Sequence, residues 1–191
     1  MIDFIQSEAQ FFIFCLTTLF TLINPIGIAP LLLVMTERFS KQEKINIAWK
    51  GSFTAFFTLI LFAILGSFIF NVFGITIEAF QIMGGILFFR NGLRMLEVKV
   101  GRSRTTPAEQ EESQESDDIA ISPIGIPLIA GPGAITAAML LSSQTPQYYS
   151  YVTLGLSIFL VLSLVYLILR NGDVLMNVLG TTGMRIIQRL M

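Results

Sequence analysis

The side chains that carry most covalent chemistry are scarce in this sequence. There is no histidine, so neither a histidine triad nor a histidine metal site can be assembled, and the single cysteine, Cys15, has no intrachain disulfide partner. What the chain offers instead is broken backbone. "NPIG" at Asn24–Gly27 and "SPIG" at Ser122–Gly125 lie 98 residues apart, inside the apolar runs "LINPIGIAPLL" and "AISPIGIPLIAGPGAIT". Proline has no N–H and crowds the carbonyl four residues back, so Pro25 frees the carbonyl of Thr21 and Pro30 that of Ile26. "GPGAIT" reads as a loop followed by a fresh helix, with Pro132 near its first turn. The unpaired amides and positive dipole end of that helix can accept a carboxylate. Carbonyls around Thr21–Ile23, with the Asn24 side chain, can take an ammonium group or a coupling ion. One pole of each sign suits a zwitterion such as a small amino acid. The expected substrate site therefore draws Asn24, Pro25 and Gly27 from the first break, and Ser122, Pro123, Gly125, Gly131, Pro132, Gly133 and Thr136 from the second.

A plainer alternative is that these prolines and glycines only kink helices for packing, as small residues do at helix contacts in membranes. Two related breaks at corresponding places favour the working role. Glu78 is the acid near a span that could couple a proton, but its position at a span boundary suits an interfacial helix cap better. Thr17, Thr18, Thr21, Gln81 and Thr136 could line a path or bond back to their own helices. Gly84, Gly85 and Gly155 read as close-packing positions. No nucleophile–base pair or metal cluster stands out, so the expectation is a non-enzyme without metal or cofactor.

Composition says what must position these groups. Of 191 residues, 53% are hydrophobic and 13% charged, and the mean hydropathy is +0.73. That is too little charge to cover a soluble surface. No Asp, Glu, Lys or Arg occurs in 9–36, 51–77 or 119–169. A spanning helix needs about 20 apolar residues. The first two stretches hold one span each, and the third holds two, divided by the polar turn Ser142–Ser150. A fifth, shorter candidate covers Val72–Phe89. The acidic start "MIDFIQSEAQ" lacks a basic leader pattern, so the first apolar segment is expected to stay as an anchor. A net charge of −1 argues against nucleic acid as a partner.

The basic residues set the orientation. Arg38, Lys41, Lys44 and Lys50 lie between spans one and two; Arg90, Arg94, Lys99, Arg102 and Arg104 follow span three; Arg170, Arg185 and Arg189 follow span five. The N-terminus and the turns 71–79 and 142–150 have none. Cytoplasmic loops collect Lys and Arg, so the N-terminus is expected outside a bacterial or archaeal inner membrane. Trp49, Tyr148, Tyr149 and Tyr151 suit interfacial anchors. The segment 97–118 is basic, then acidic, and nearly free of apolar residues; it reads as a solvated cytoplasmic linker.

A second echo, "NVFGIT" at Asn71–Thr76 against "NVLGTT" at Asn177–Thr182, follows the first in the same order. The expected architecture is an all-α membrane protein with an inverted repeat of three plus three spans, the first and fourth broken. The halves are 1–96 and 119–191, joined by 97–118. The second half stops at "IIQRLM", where the first continues into "FQIMGGILFF", so a sixth span is expected to be missing or truncated.

"INPIGIAPLLL", "GGILFFRNGLRML", "PLIAGPGAIT" and "RIIQRLM" together resemble the MarC family of bacterial and archaeal inner-membrane proteins. The resemblance implies six spans, a place in the LysE-type group of exporters, and a secondary transporter of small neutral amino acids. A non-transporting scaffold, with 97–118 docking a partner, is the competing expectation. The lipid bilayer and a small solute are the expected partners. A coupling ion could join them, and so small a bundle could pair with a copy of itself.

Overall fold

The computed structural model describes residues 2–36, 38–96, 120–143, 148–172 and 174. The linker 97–118, the turn at 177–182 and "RIIQRLM" lie outside the described residues, as do the side chains of Pro123, Tyr148 and Tyr149. Every regular element among the described residues is helical.

Helices α1 (Ile2–Ile23) and α2 (Pro25–Met35) are parted by Asn24 alone, whose φ of 49° lies in the left-handed region that asparagine tolerates. Together they supply the apolar stretch Ser7–Leu33. Helix α3 (Lys41–Phe73) starts at a reciprocal cap. The Glu43 N–H donates to Ser40 Oγ, and the Ser40 N–H donates to Glu43 Oε2 at 2.7 Å. It ends at Gly74, whose φ of 64° lets the Ile75 N–H turn back to the Phe70 carbonyl at 2.9 Å. Helix α4 (Ile77–Leu96) follows the turn, where the rings of Phe70 and Phe80 lie 4.7 Å apart. The second broken unit is α5 (Ala120–Ile129), a short helical segment interrupted by extended backbone at Ser122 and Ile126, followed by α6 (Pro132–Ser143) at a 61° bend. Helix α7 (Tyr148–Arg170) completes the described bundle.

Among the described residues, three helices are long and apolar enough to cross a membrane, or four if the bent α5–α6 pair is one span. The fifth candidate differs from its expected bounds: Val72 and Phe73 end α3, and the apolar part of α4 runs from Ile77 to Ile86.

Helix α3 packs on α5, α6 and α7, while α7 packs on α1 and α2. Individual contacts give the directions. Gly51 faces Ile124 and Ala120, and Gly66 faces Met139, so α3 runs parallel to the α5–α6 unit. Glu8 meets Ser150, and Leu33 meets Gly172, so α1–α2 runs parallel to α7. Trp49 on Tyr166 and Phe56 on Phe159 set α3 antiparallel to α7. The buried core includes Leu19, Leu32, Ile47, Leu59, Ile124, Leu154, Ile158 and Val165. Phe57, Ile64, Phe68, Ile82, Phe89 and Phe159 are exposed on the outside. A surface of that kind aggregates in water and suits acyl chains.

Candidate functional site

At the first break, local chemistry accounts for each residue of the motif. The Asn24 N–H still donates to the Phe20 carbonyl at 2.9 Å, and its carbonyl accepts from the Ile28 N–H at 3.1 Å. Its side chain turns onto the new helix, where Oδ1 accepts from the Gly27 N–H at 3.1 Å. Asn24 is thus the N-cap of α2, and Pro25 is its buried first residue, where a missing N–H costs nothing. Gly27 makes room: a Cβ there would lie 2.5 Å from Asn24 Nδ2. Pro25 has no donor for the Thr21 carbonyl, and the Gly27 donor that would serve Ile23 goes to Asn24. Those two carbonyls lose their helical partners at the centre of an apolar stretch, where water is scarce.

At the second break, proline again sets the backbone one residue ahead of itself. Ser122 (φ −132°, ψ 125°) and Ile126 (φ −133°, ψ 124°) are extended, and each precedes a proline whose ring disfavours the helical region. The Ile126–Pro127 peptide is cis. The Ala130 N–H donates to the Gly125 carbonyl at 2.9 Å, and the Ile135 N–H to that of Gly131 at 3.0 Å. Pro132 opens α6 without a donor, so the first amides at this helix end belong to Gly133 and Ala134, both buried.

The broken units lie against each other. Helix α1 touches α6 and α2 touches α5, so the two broken units run in opposite senses. The first break, with Asn24, Pro25 and Gly27, and the second, with Gly131–Gly133, belong to units that pack on each other. Other expected site residues turn elsewhere. A Cβ on Gly125 would meet Thr54 Cβ of α3 at 2.9 Å, and one on Gly84 of α4 would meet Thr136 Cγ2 at 2.9 Å. Ser122 is exposed. Glu78 is exposed in the first turn of α4, where Thr76 Oγ1 accepts from the Ala79 N–H at 3.2 Å; that is a helix start, as its boundary position implies. Thr17 bonds back to the Ile13 carbonyl at 2.8 Å, which satisfies its hydroxyl locally.

Two polar groups escape a reading of the sequence. Ser52 on α3, beside the seat of α5 on Gly51, has a buried Oγ without a hydrogen-bond partner. Glu8 on α1 holds two hydroxyls of α7: Ser150 Oγ donates to Oε1 at 2.9 Å, and Thr153 Oγ1 donates to Oε2 at 2.7 Å. Serine in an apolar helix gives no local signal, and the partners of Glu8 are 142 and 145 residues away.

A family profile described as MarC family integral membrane protein matches residues 9–191. A UPF0056 membrane protein of Methanocaldococcus jannaschii is 35% identical over 182 residues, covering 95% of this chain and 80% of that protein. A UPF0056 membrane protein of Pyrococcus horikoshii is 36% identical over 183 residues, covering 94% and 86%. The UPF0056 membrane protein YvbG of Bacillus subtilis is 35% identical over 183 residues, covering 95% and 87%. No solved structure matches. The chain belongs to the MarC family of integral membrane proteins, and its relatives are found in both bacteria and archaea.

Proposed function

We propose that this MarC-family protein is a secondary transporter of small neutral amino acids or similar small zwitterions, working by alternating access. The observation that carries the reading is the antiparallel seam between the two broken units, α1 on α6 and α2 on α5. The Thr21 and Ile23 carbonyls, without helical partners at the first break, would offer a pole for an ammonium group. The Gly133 and Ala134 amides, at the positive end of α6, offer a pole for a carboxylate. Broken helices at the midplane of related halves are a recurring transporter design.

The packing also supports inverted halves. The second span (α3) lies parallel to the fourth (α5–α6), and the fifth (α7) lies parallel to the first (α1–α2). Exchanging the halves turns each of these pairs into the other. The orientation follows from charge: Arg38, Lys41, Lys44, Lys50 and Arg170 fall at one end of the helices, which is the cytoplasmic side by the bias of inner-membrane loops.

The test is flux of labelled alanine and glycine in proteoliposomes. Asn24→Gly is the informative variant, since glycine keeps the positive φ and costs only a few tenths of a kcal/mol at a cap. It should leave the protein folded and lower flux at limiting substrate. A folded protein that moves no small amino acid would end the transport reading and favour a scaffold.

A further inference from the structure

We propose that the groove between α3 and α7, in its half nearest Arg170, binds one anionic phospholipid. Six aromatic rings mark the groove, in a circuit that starts and ends on α7. Tyr166 meets Trp49 of α3 edge-on, 5.6 Å between centroids; Trp49 lies 5.8 Å from Phe53, and Phe53 4.7 Å from Phe57. Phe57 meets Phe56 at 5.8 Å, and Phe56 meets Phe159 of α7 at 6.2 Å. Rings at such separations attract one another beyond the area they bury, so they hold each other in place. Phe56 and Tyr166 are partly buried against the core, whereas Trp49, Phe53, Phe57 and Phe159 stand exposed. From Trp49 to Phe57 the helix rises about 12 Å, most of the roughly 15 Å that one leaflet adds to the hydrocarbon. An acyl chain lying along these rings is covered over most of its depth.

Charge fixes the polar end. Lys50 is the last charged residue before the uncharged stretch 51–77, and Arg170 is the first after 119–169. The Trp49–Tyr166 contact brings these two boundaries to one level, where tryptophan and tyrosine favour the headgroup region. Because α3 and α7 are antiparallel, Arg170, one turn beyond Tyr166, comes level with Ile45, one turn after Lys41. Arg170 and Lys41 are both exposed. Glu43, the acid in the first turn of α3, is taken up by its own cap at Ser40. A phosphodiester here meets an excess of positive charge while the rings take its chain. A zwitterionic headgroup gains less, since its own ammonium faces the same cations. The other end of the groove offers no such pole, because neither 71–79 nor 142–150 contains Lys or Arg. Each basic residue near the membrane surface strengthens anionic-lipid binding about fivefold.

Trp49 reports occupancy, since it is the chain's single tryptophan. The full chain is reconstituted in vesicles of phosphatidylcholine and phosphatidylglycerol, one of the two carrying brominated acyl chains, which quench indole fluorescence on contact. Brominated phosphatidylglycerol should reach half-maximal quenching at about a tenfold lower fraction than brominated phosphatidylcholine, in keeping with two cations. Added salt should narrow the difference, because the charges are exposed. Arg170→Gln with Lys41→Gln should abolish the preference, and Arg170→Lys should keep it. Arg90→Gln with Arg94→Gln removes as much charge from α4 and should leave the preference in place. Equal quenching by the two lipids, or a preference lost as fully in the α4 variant, would overturn the site. Quenching by neither lipid would also overturn it, and would put another protein surface, such as a second copy, over the groove. The readout does not involve transport, so a protein that moves no amino acid can still carry this site.

Discussion

Single residues decide where this chain breaks, and the rules they follow are local. Asn24 tolerates a positive φ, Pro25 accepts a helix start, and Gly27 leaves space for the Asn24 amide, so "NPIG" specifies a capped restart within four residues. The extended backbone at Ser122 and Ile126 follows in the same way from the prolines after them. These breaks are legible because cause and effect are neighbours in the chain. Ser52 is not legible in that sense, since an empty hydrogen-bonding position depends on what the rest of the bundle fails to supply. Its buried hydroxyl costs free energy in the folded state. Ser52→Ala should therefore leave unfolding resistance in detergent unchanged or raise it by up to about 1 kcal/mol. If the hydroxyl serves a solute passing the seat of α5, the same variant should raise KM for alanine without lowering stability. A loss of stability would show that Ser52 has a partner within the protein.

At the scale of elements, the pattern of charge and apolar runs locates the helices well and their ends less well. Helix α3 has 33 residues, about 50 Å at 1.5 Å per residue, against a hydrocarbon thickness of about 30 Å. Its polar first turns, Lys41–Lys50, and its last residues thus extend past an apolar centre, which is why Val72 and Phe73 belong to it and not to α4. The start is fixed by the Ser40–Glu43 exchange, a signal the sequence does carry as serine followed three residues later by glutamate. Ser40→Ala should lower unfolding resistance by about 1 kcal/mol, and Ser40→Gly by only a few tenths, measured by reversible denaturation in mixed micelles. Equal losses in the two variants would place the cost in the backbone of the turn, not in the cap.

For the whole molecule, the decisive contacts join residues far apart in sequence, and charge counting reaches them only through topology. That counting puts the second and fourth spans in the same sense across the membrane, and in the structure α3 does run parallel to α5–α6. It could not reveal that α3 would be the hub on which α5, α6 and α7 all pack, because that depends on small residues meeting across the bundle. The Gly51, Gly66 and Gly125 contacts make this frame tight, whereas α1 is tied to α2 by one residue. The frame can be tested with a covalent lock. A Cβ on Gly66 would lie 3.3 Å from Met139 Cβ, close to the separation of about 3.5–4.5 Å that a disulfide spans. With Cys15→Ala as background, Gly66→Cys and Met139→Cys should cross-link under mild oxidation, seen as a reducible mobility shift. Failure to form would overturn the parallel packing of α3 on α6. Because both residues belong to the frame, the cross-link should leave alanine flux unchanged; a flux lost on oxidation and restored on reduction would show that α3 and α6 move against each other during transport.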